Sequence, residues 1–202
     1  QPESSAASDV YKRQHLLCKV VYGTEPECSI NREVQGVNLG AAALKWFFLR
    51  EGPLTTGSAP VGAFCYTREG LEAPDVQIHF ASGGTLYNNE GKIQAMKDPA
   101  ITAVVNQSRP ESRGSIHIKS ANMVDPPAIS ANYLSSPMDQ DTLLKGMRIL
   151  LNVFQQSDLR PYLKQRLSPS EDIDVNSDED LMAYIRNEAS TVYHPTLSLI
   201  HI

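Results

Sequence analysis

Apolar residues along this chain form short alternating runs, broken by a few stretches with helical spacing. Leu16 to Tyr22 (LLCKVVY) reads as a strand, closed by Gly23 and the Glu25-Pro26 turn. From about Val37 to Leu49 the period lengthens, with Leu39, Ala42, Ala43, Trp46, Phe47 and Arg50 recurring at the i, i+3, i+4 spacing of one helix face. Gly52-Pro53 is expected to stop that helix, because proline cannot continue it and glycine accepts the capping geometry. Ala63 to Thr67, Val76 to Ala81, Thr102 to Gln107 and Ser115 to Lys119 read as further short strands. The turn-like RPESRG at Arg109 to Gly114, expected to hold an internal ion pair, separates the last two. Ser82 to Pro99 has no clean period and reads as a loop or lid.

A proline-rich connection, Asp125 to Pro137, leads into a long amphipathic helix from about Asp139 to Gln156. Its apolar side is Leu143, Leu144, Met147, Leu150, Leu151 and Phe154. Another helix begins at Ser177, where Asp180 sits in the manner of a capping box and Leu181, Tyr184 and Ile185 form the apolar side. Several strands at hairpin-like spacing with helices beside them predict an α+β fold, an antiparallel sheet with flanking helices.

Composition narrows the function classes. Hydrophobic residues at 41% and charged residues at 20% are those of an ordinary globular protein rather than a disordered one. The net charge of -5 comes without a basic cluster, which argues against nucleic acid as the main partner. The longest apolar candidate for a membrane span, Leu39 to Leu49, is interrupted by Gly40 and Lys45, so no membrane span is expected. Cys18, Cys28 and Cys65 show no CxxC spacing and predict no metal site. Their odd number and wide separation fit a reducing compartment, hence a cytoplasmic location.

The ends read as foreign. One DNA string, GAT GTG TAT AAG AGA CAG, encodes DVYKRQ at Asp9 to Gln14, and its reverse complement encodes LSLIHI at Leu197 to Ile202. Such an inverted repeat resembles the transposase-end adapter used to build sequencing libraries, and SSAAS at Ser4 to Ser8 fits the rest of it. Residues 1–14 and 197–202 are therefore expected to be non-native, leaving 15–196 for fold reasoning.

Candidate chemistry is sparse. Gly36 to Ala43 (GVNLGAAA) lacks the GxGxxG spacing and the preceding strand of a dinucleotide site, and reads as a small-residue helix. Along Val76 to Phe80, alternation puts Val76, Ile78 and Phe80 on one face and Gln77 and His79 on the other. The latter pair either lines a cavity across the sheet or is solvated strand surface. His117, alternating with Ser115 and Lys119, reads as solvated surface. His194 follows the last helix, with Pro195 directly after it, and its imidazole can accept a proton near neutral pH.

Taken together, several stretches resemble the glucose-methanol-choline (GMC) family of flavin-dependent oxidoreductases. They are His15-Leu16-Leu17, FLREGPLTT at Phe48 to Thr56, VGAFCYT at Val61 to Thr67 and PDVQIHF at Pro74 to Phe80. RPESRGSIHIKS at Arg109 to Ser120 is similar to the family's RPxSRGxVxLxS, and Pro126 to Arg148 to its NYLS element. TVYHPT at Thr191 to Thr196 is similar to the start of YHPxGTCxMG. The resemblance spans His15 to Thr196 and implies a fragment, the substrate-binding and C-terminal region of such an enzyme.

The resemblance implies that His194 is the active-site base of an alcohol oxidation, with hydride passing from the CH-OH carbon to FAD. It also implies that Val192 and Tyr193 lie near the flavin, and that Gln77 and His79 line the cavity of a small alcohol substrate. Most of the FAD site, and the second catalytic His or Asn, are expected outside this chain, which alone should neither hold FAD tightly nor turn over. The electron acceptor is not readable. An alternative is a non-catalytic small-ligand-binding module using the Gln77/His79 face. A serine hydrolase has little support, because no GxSxG elbow is present.

Overall fold

The computed structural model describes residues 13–57, 59–87 and 93–196. Its longest strand, β1 (Arg13–Thr24), organises the sheet. Seven of its residues, Leu17 to Gly23, pair antiparallel with Ala100–Asn106 of β6 (Ala100–Gln107). The order runs β10 (Ser190–Thr196), β1, β6, β3 (Val76–Ala81), β2 (Val61–Cys65), and every pairing is antiparallel. β1 is long enough to take two partners on one edge. Its start pairs with β10, and its end pairs with β9 (Leu163–Ser168), a strand the sequence pattern does not announce.

The alternation expected for β3 holds across the whole sheet. One face presents Val76, Ile78 and Phe80 beside Val105, Ala103 and Ile101 of β6, then Cys18, Val20 and Tyr22 of β1. The long helix α2 (Pro137–Val153) covers this face with Leu143, Met147, Leu150 and Leu151, while Phe154 just beyond it stacks on Tyr22 at 4.8 Å and on Phe80 at 5.9 Å. Gly146 lets the helix approach closely, since a Cβ there would lie 3.0 Å from Val105 and 3.2 Å from Val76. Helix α3 (Asp178–Glu188) adds Leu181, Tyr184 and Ile185 to the same core.

Both helix starts are capped by serine, which satisfies an otherwise orphaned N–H. Ser136 accepts from Met138 N at 3.2 Å and Ser177 from Asp180 N at 3.2 Å. The capping box at Ser177 is only half formed, because the Ser177 N–H donates to the Asp174 carbonyl at 3.1 Å instead of to Asp180.

Helix α1 (Gly36–Leu49) departs from expectation in two ways. Its left-handed terminator is Arg50 (φ 57°, ψ 37°) rather than Gly52, and the Arg50 N–H donates to Trp46 O. The guanidinium lies 4.8 Å from the centre of the Trp46 ring, a cation–π contact that offsets strain in a non-glycine cap. The helix also buries almost nothing: only Ala42 is buried, while Val37, Leu44, Phe47, Phe48 and Leu49 are exposed.

Ser82 to Pro99, expected as a loop, contains a hairpin of β4 (Thr85–Tyr87) and β5 (Ile93–Ala95). In Asp125 to Pro137, expected as plain connection, β8 (Ala128–Ser130) pairs with β7 (Ser115–His117). Periodicity cannot reveal strands of three residues.

Candidate active site on the open face of the sheet

The face opposite α2 is assembled by strand register. Phe64, Gln77, Asn106 and Leu17 lie side by side across β2, β3, β6 and β1. The neighbouring rung is Gly62, His79, Val104 and Lys19, and the next brings Ala81, Thr102 and Val21 together. Gln77 and His79 are half-buried, on the face that alternation assigned them. His117 is exposed at the end of β7, as expected of solvated surface.

Burial on this face is uneven. Phe64 is 64% exposed at the β2 edge, whereas Asn106 is 3% exposed and Lys19 7%. Burial holds the Lys19 ammonium below the ordinary lysine range, opposed by the pull of Glu188. The Asn106 Oδ1 is buried without a hydrogen-bond partner among the described residues. Asn106 escapes sequence reasoning because it sits in the apolar run AITAVVNQ, although it alternates with Val105 as Gln77 does with Ile78.

A polar clasp roots the β4–β5 hairpin beside this face. Asn31 Oδ1 accepts from Gly84 N at 2.6 Å, and its Nδ2 donates to Gly84 O and to Met96 O, each at 2.9 Å. Ser29 Oγ donates to Ala100 O at 2.7 Å, and Thr85 N donates to Thr102 Oγ1 at 3.2 Å.

Another buried polar centre fixes the turn after β6. Asp139 accepts from Gln107 Nε2 at 2.8 Å, Glu111 N at 2.8 Å and Ser112 N at 2.7 Å. Burial by itself would raise this carboxyl's pKa. The Glu111 and Ser112 donors and the Gln107 amide outweigh that and hold it below the usual range. Inside the turn, Arg113 donates to the carbonyls of Pro110, Glu111 and Ser112, and the Glu111 carboxylate accepts from Ser136 Oγ at 2.9 Å. The expected internal ion pair is replaced by these contacts, because the Arg113 guanidinium is drawn to the turn's own carbonyls.

At the other side of β1, the backbone of His194 lies in β10, a strand and not a loop. Gln14 pairs with Pro195 while Leu16 pairs with Thr191, so three residues of β10, Val192 to His194, stand opposite the single residue His15 of β1, and the register shifts there as a bulge. Bulges re-aim side chains and recur next to active sites. The side chains of Val192, Tyr193 and His194 lie outside the described residues.

The antiparallel sheet backed by α2, with the RPESRG turn and the YHP strand at its margins, meets independent matches. A family model described as GMC oxidoreductase matches residues 110–199. An oxygen-dependent choline dehydrogenase of Pseudomonas aeruginosa is 32% identical over 186 residues, 92% of this chain and 32% of the relative. Residues 110–199 belong to the GMC oxidoreductase family.

An oxygen-dependent choline dehydrogenase of Xanthomonas euvesicatoria is 31% identical, over 92% of this chain and 33% of its own length. GMC sequence here thus spans about a third of the length of the curated relatives it matches. The fold agrees with a formate oxidase variant from Aspergillus oryzae, TM-score 0.81 at 18% identity, over 95% of this chain and 37% of the other. A fungal aryl-alcohol oxidase gives TM-score 0.71 at 16% identity, over 95% and 39% respectively. No described helix is long and apolar enough to cross a membrane. Among the described residues no group of His, Cys, Asp and Glu is placed to hold a metal ion.

Proposed function

We propose that this chain supplies the substrate-side sheet and the catalytic-histidine strand of a longer FAD-dependent oxidoreductase that oxidises the CH-OH group of a small alcohol. The observation that carries the reading is the bulge of β10 at Val192 to His194, in the segment TVYHPT that the GMC family model covers. His194 takes the hydroxyl proton of the substrate, a role that requires its imidazole to be neutral. Gln77 and His79 orient the substrate from the sheet. Bound FAD supplies the acceptor for the carbon-bound hydride.

The described residues fit only part of that cofactor. Every pairing in the sheet is antiparallel, and no strand–turn–helix of the kind that receives a pyrophosphate is present among them. Val192 and Tyr193 are the residues of this chain assigned to the flavin's side, and the rest of the cofactor site falls to sequence beyond it. The exposed apolar residues of α1 support this reading, since a surface of that kind is made to be covered. In the full-length flavoenzyme, His194→Ala is expected to slow flavin reduction on anaerobic mixing with substrate by about 10²–10⁴-fold, the usual worth of a general base. An unchanged rate would sink the assignment. Residues 1–14 and 197–202 are proposed to be non-native, which the uninterrupted gene would settle.

A further inference from the structure

We infer that the cavity between β1, β9 and the C-terminal end of α2 binds a small oxyanion, the carboxylate or phosphate group of a metabolite. It is separate from the candidate active site, because Tyr22 enters it from the helix-covered face of the sheet, opposite Gln77 and His79. The inference is therefore independent of the alcohol-oxidising reading above.

The cavity holds about 470 Å³, within the range of about 300–1,000 Å³ common to small-molecule sites. Its wall carries Tyr22, Arg148, Asn152, Gln155, Arg166 and Asn176, and no carboxylate. Asn152, Gln155 and Asn176 are exposed, so the cavity is open to solvent.

The two guanidinium groups are held mainly by main-chain carbonyls, which fix their position without neutralising them. Arg166 donates to the carbonyls of Pro169 at 2.7 Å, Ser170 at 2.9 Å and Ile173 at 2.8 Å, through Nε and Nη2. Its Nη1 has no partner among the described residues. Arg148 donates to the carbonyls of Val175 and Asn176 and pairs with Asp178. Asp178, and Asp172 which also feels the Arg166 charge, are exposed, where water and salt screen them. The end of α2 contributes about half a negative charge, less than the two full positive charges facing it.

Tyr22 adds a donor from the buried side. The residue is 5% exposed, its hydroxyl accepts from Gln155 Nε2 at 3.5 Å, and its own proton has no acceptor among the described residues. Donors that outnumber acceptors around fixed guanidinium groups suit an oxyanion, which accepts charge-assisted hydrogen bonds and donates none when ionised.

The test is calorimetric titration of the FAD-loaded full-length protein with inorganic phosphate and with succinate, at fixed ionic strength. Saturable one-to-one binding is expected. Phosphate alone would identify a phosphorylated ligand, succinate alone a carboxylated one, and both a site that reads charge; binding of neither overturns the inference. Asn152→Asp places a carboxylate in the wall yet keeps the oxygen that accepts from Gln156, and should weaken binding about tenfold or more. Tyr22→Phe keeps the ring that stacks on Phe154 and removes the donor, and should cost about tenfold, the worth of a hydrogen bond to a charged group. If Asn152→Asp does not fold, as judged by circular dichroism, Gln155→Glu takes its place with the same expected loss. Unchanged affinity in the variants would put the anion elsewhere and sink the assignment.

Discussion

Asp139→Asn isolates the polar centre that ties the RPESRG turn to α2. The exchange keeps the side chain's volume but replaces one accepting oxygen with an NH₂ group that meets a backbone N–H. Asp139 is 2% exposed, and each oxygen is in use: Oδ1 by Gln107 and Glu111, Oδ2 by Ser112. Losing one hydrogen bond to a buried carboxylate costs about 1.5–3 kcal/mol. The carboxylate also lies in the first turn of α2, where the helix dipole adds about 0.3–1 kcal/mol. The expected loss is about 2–4 kcal/mol, a fall in Tm of roughly 5–12 °C for a chain of this size.

The pH dependence gives an independent check. Because the folded carboxyl titrates below its unfolded value of about 3.9, its stabilisation is fully present above that value. It is lost as pH falls through the lower folded pKa. Urea denaturation of the two proteins, followed by circular dichroism between pH 7 and pH 3, should show a gap that narrows at the acid end. A difference under about 0.5 kcal/mol at pH 7, the scatter of ordinary surface changes, would refute the reasoning. So would a gap that stays constant down to pH 3.

Two further outcomes are expected. Asn31→Ala should destabilise by about 2–3 kcal/mol, because Asn31 is buried and serves Gly84 and Met96. Hydrogen exchange should then show the Met96 amide, which donates to Gly84 O, losing protection before the amides of β6; uniform loss across the sheet would argue against a local clasp. Burial pushes the Cys18 thiol pKa up to about 12, so a thiol reagent at pH 8 should modify Cys28 and Cys65, which are part-exposed, and spare Cys18 until the protein unfolds. Labelling of all three at equal rates in the native state would contradict that burial.

The sequence by itself determined the sheet's two faces. Once β3 alternates, strand geometry commits Val76, Ile78 and Phe80 to the core and Gln77 and His79 to the other side, and the helical period of Leu143 to Phe154 supplies what covers the core face. It also carried the family resemblance, because the RPESRG and YHPT stretches are local strings that need no partner to be read. Only the tertiary structure decided what those elements meet. The pairing of β1 with both β9 and β10, the bulge at Val192 to His194, and the placing of Asn106 between Gln77 and Leu17 all join residues far apart in the chain. Periodicity reports which way a side chain points, while burial, register and hydrogen-bond satisfaction depend on what arrives opposite it. That is why Asn106 and Asp139 read as ordinary polar residues in the string and as a buried acceptor and a buried anchor in the fold.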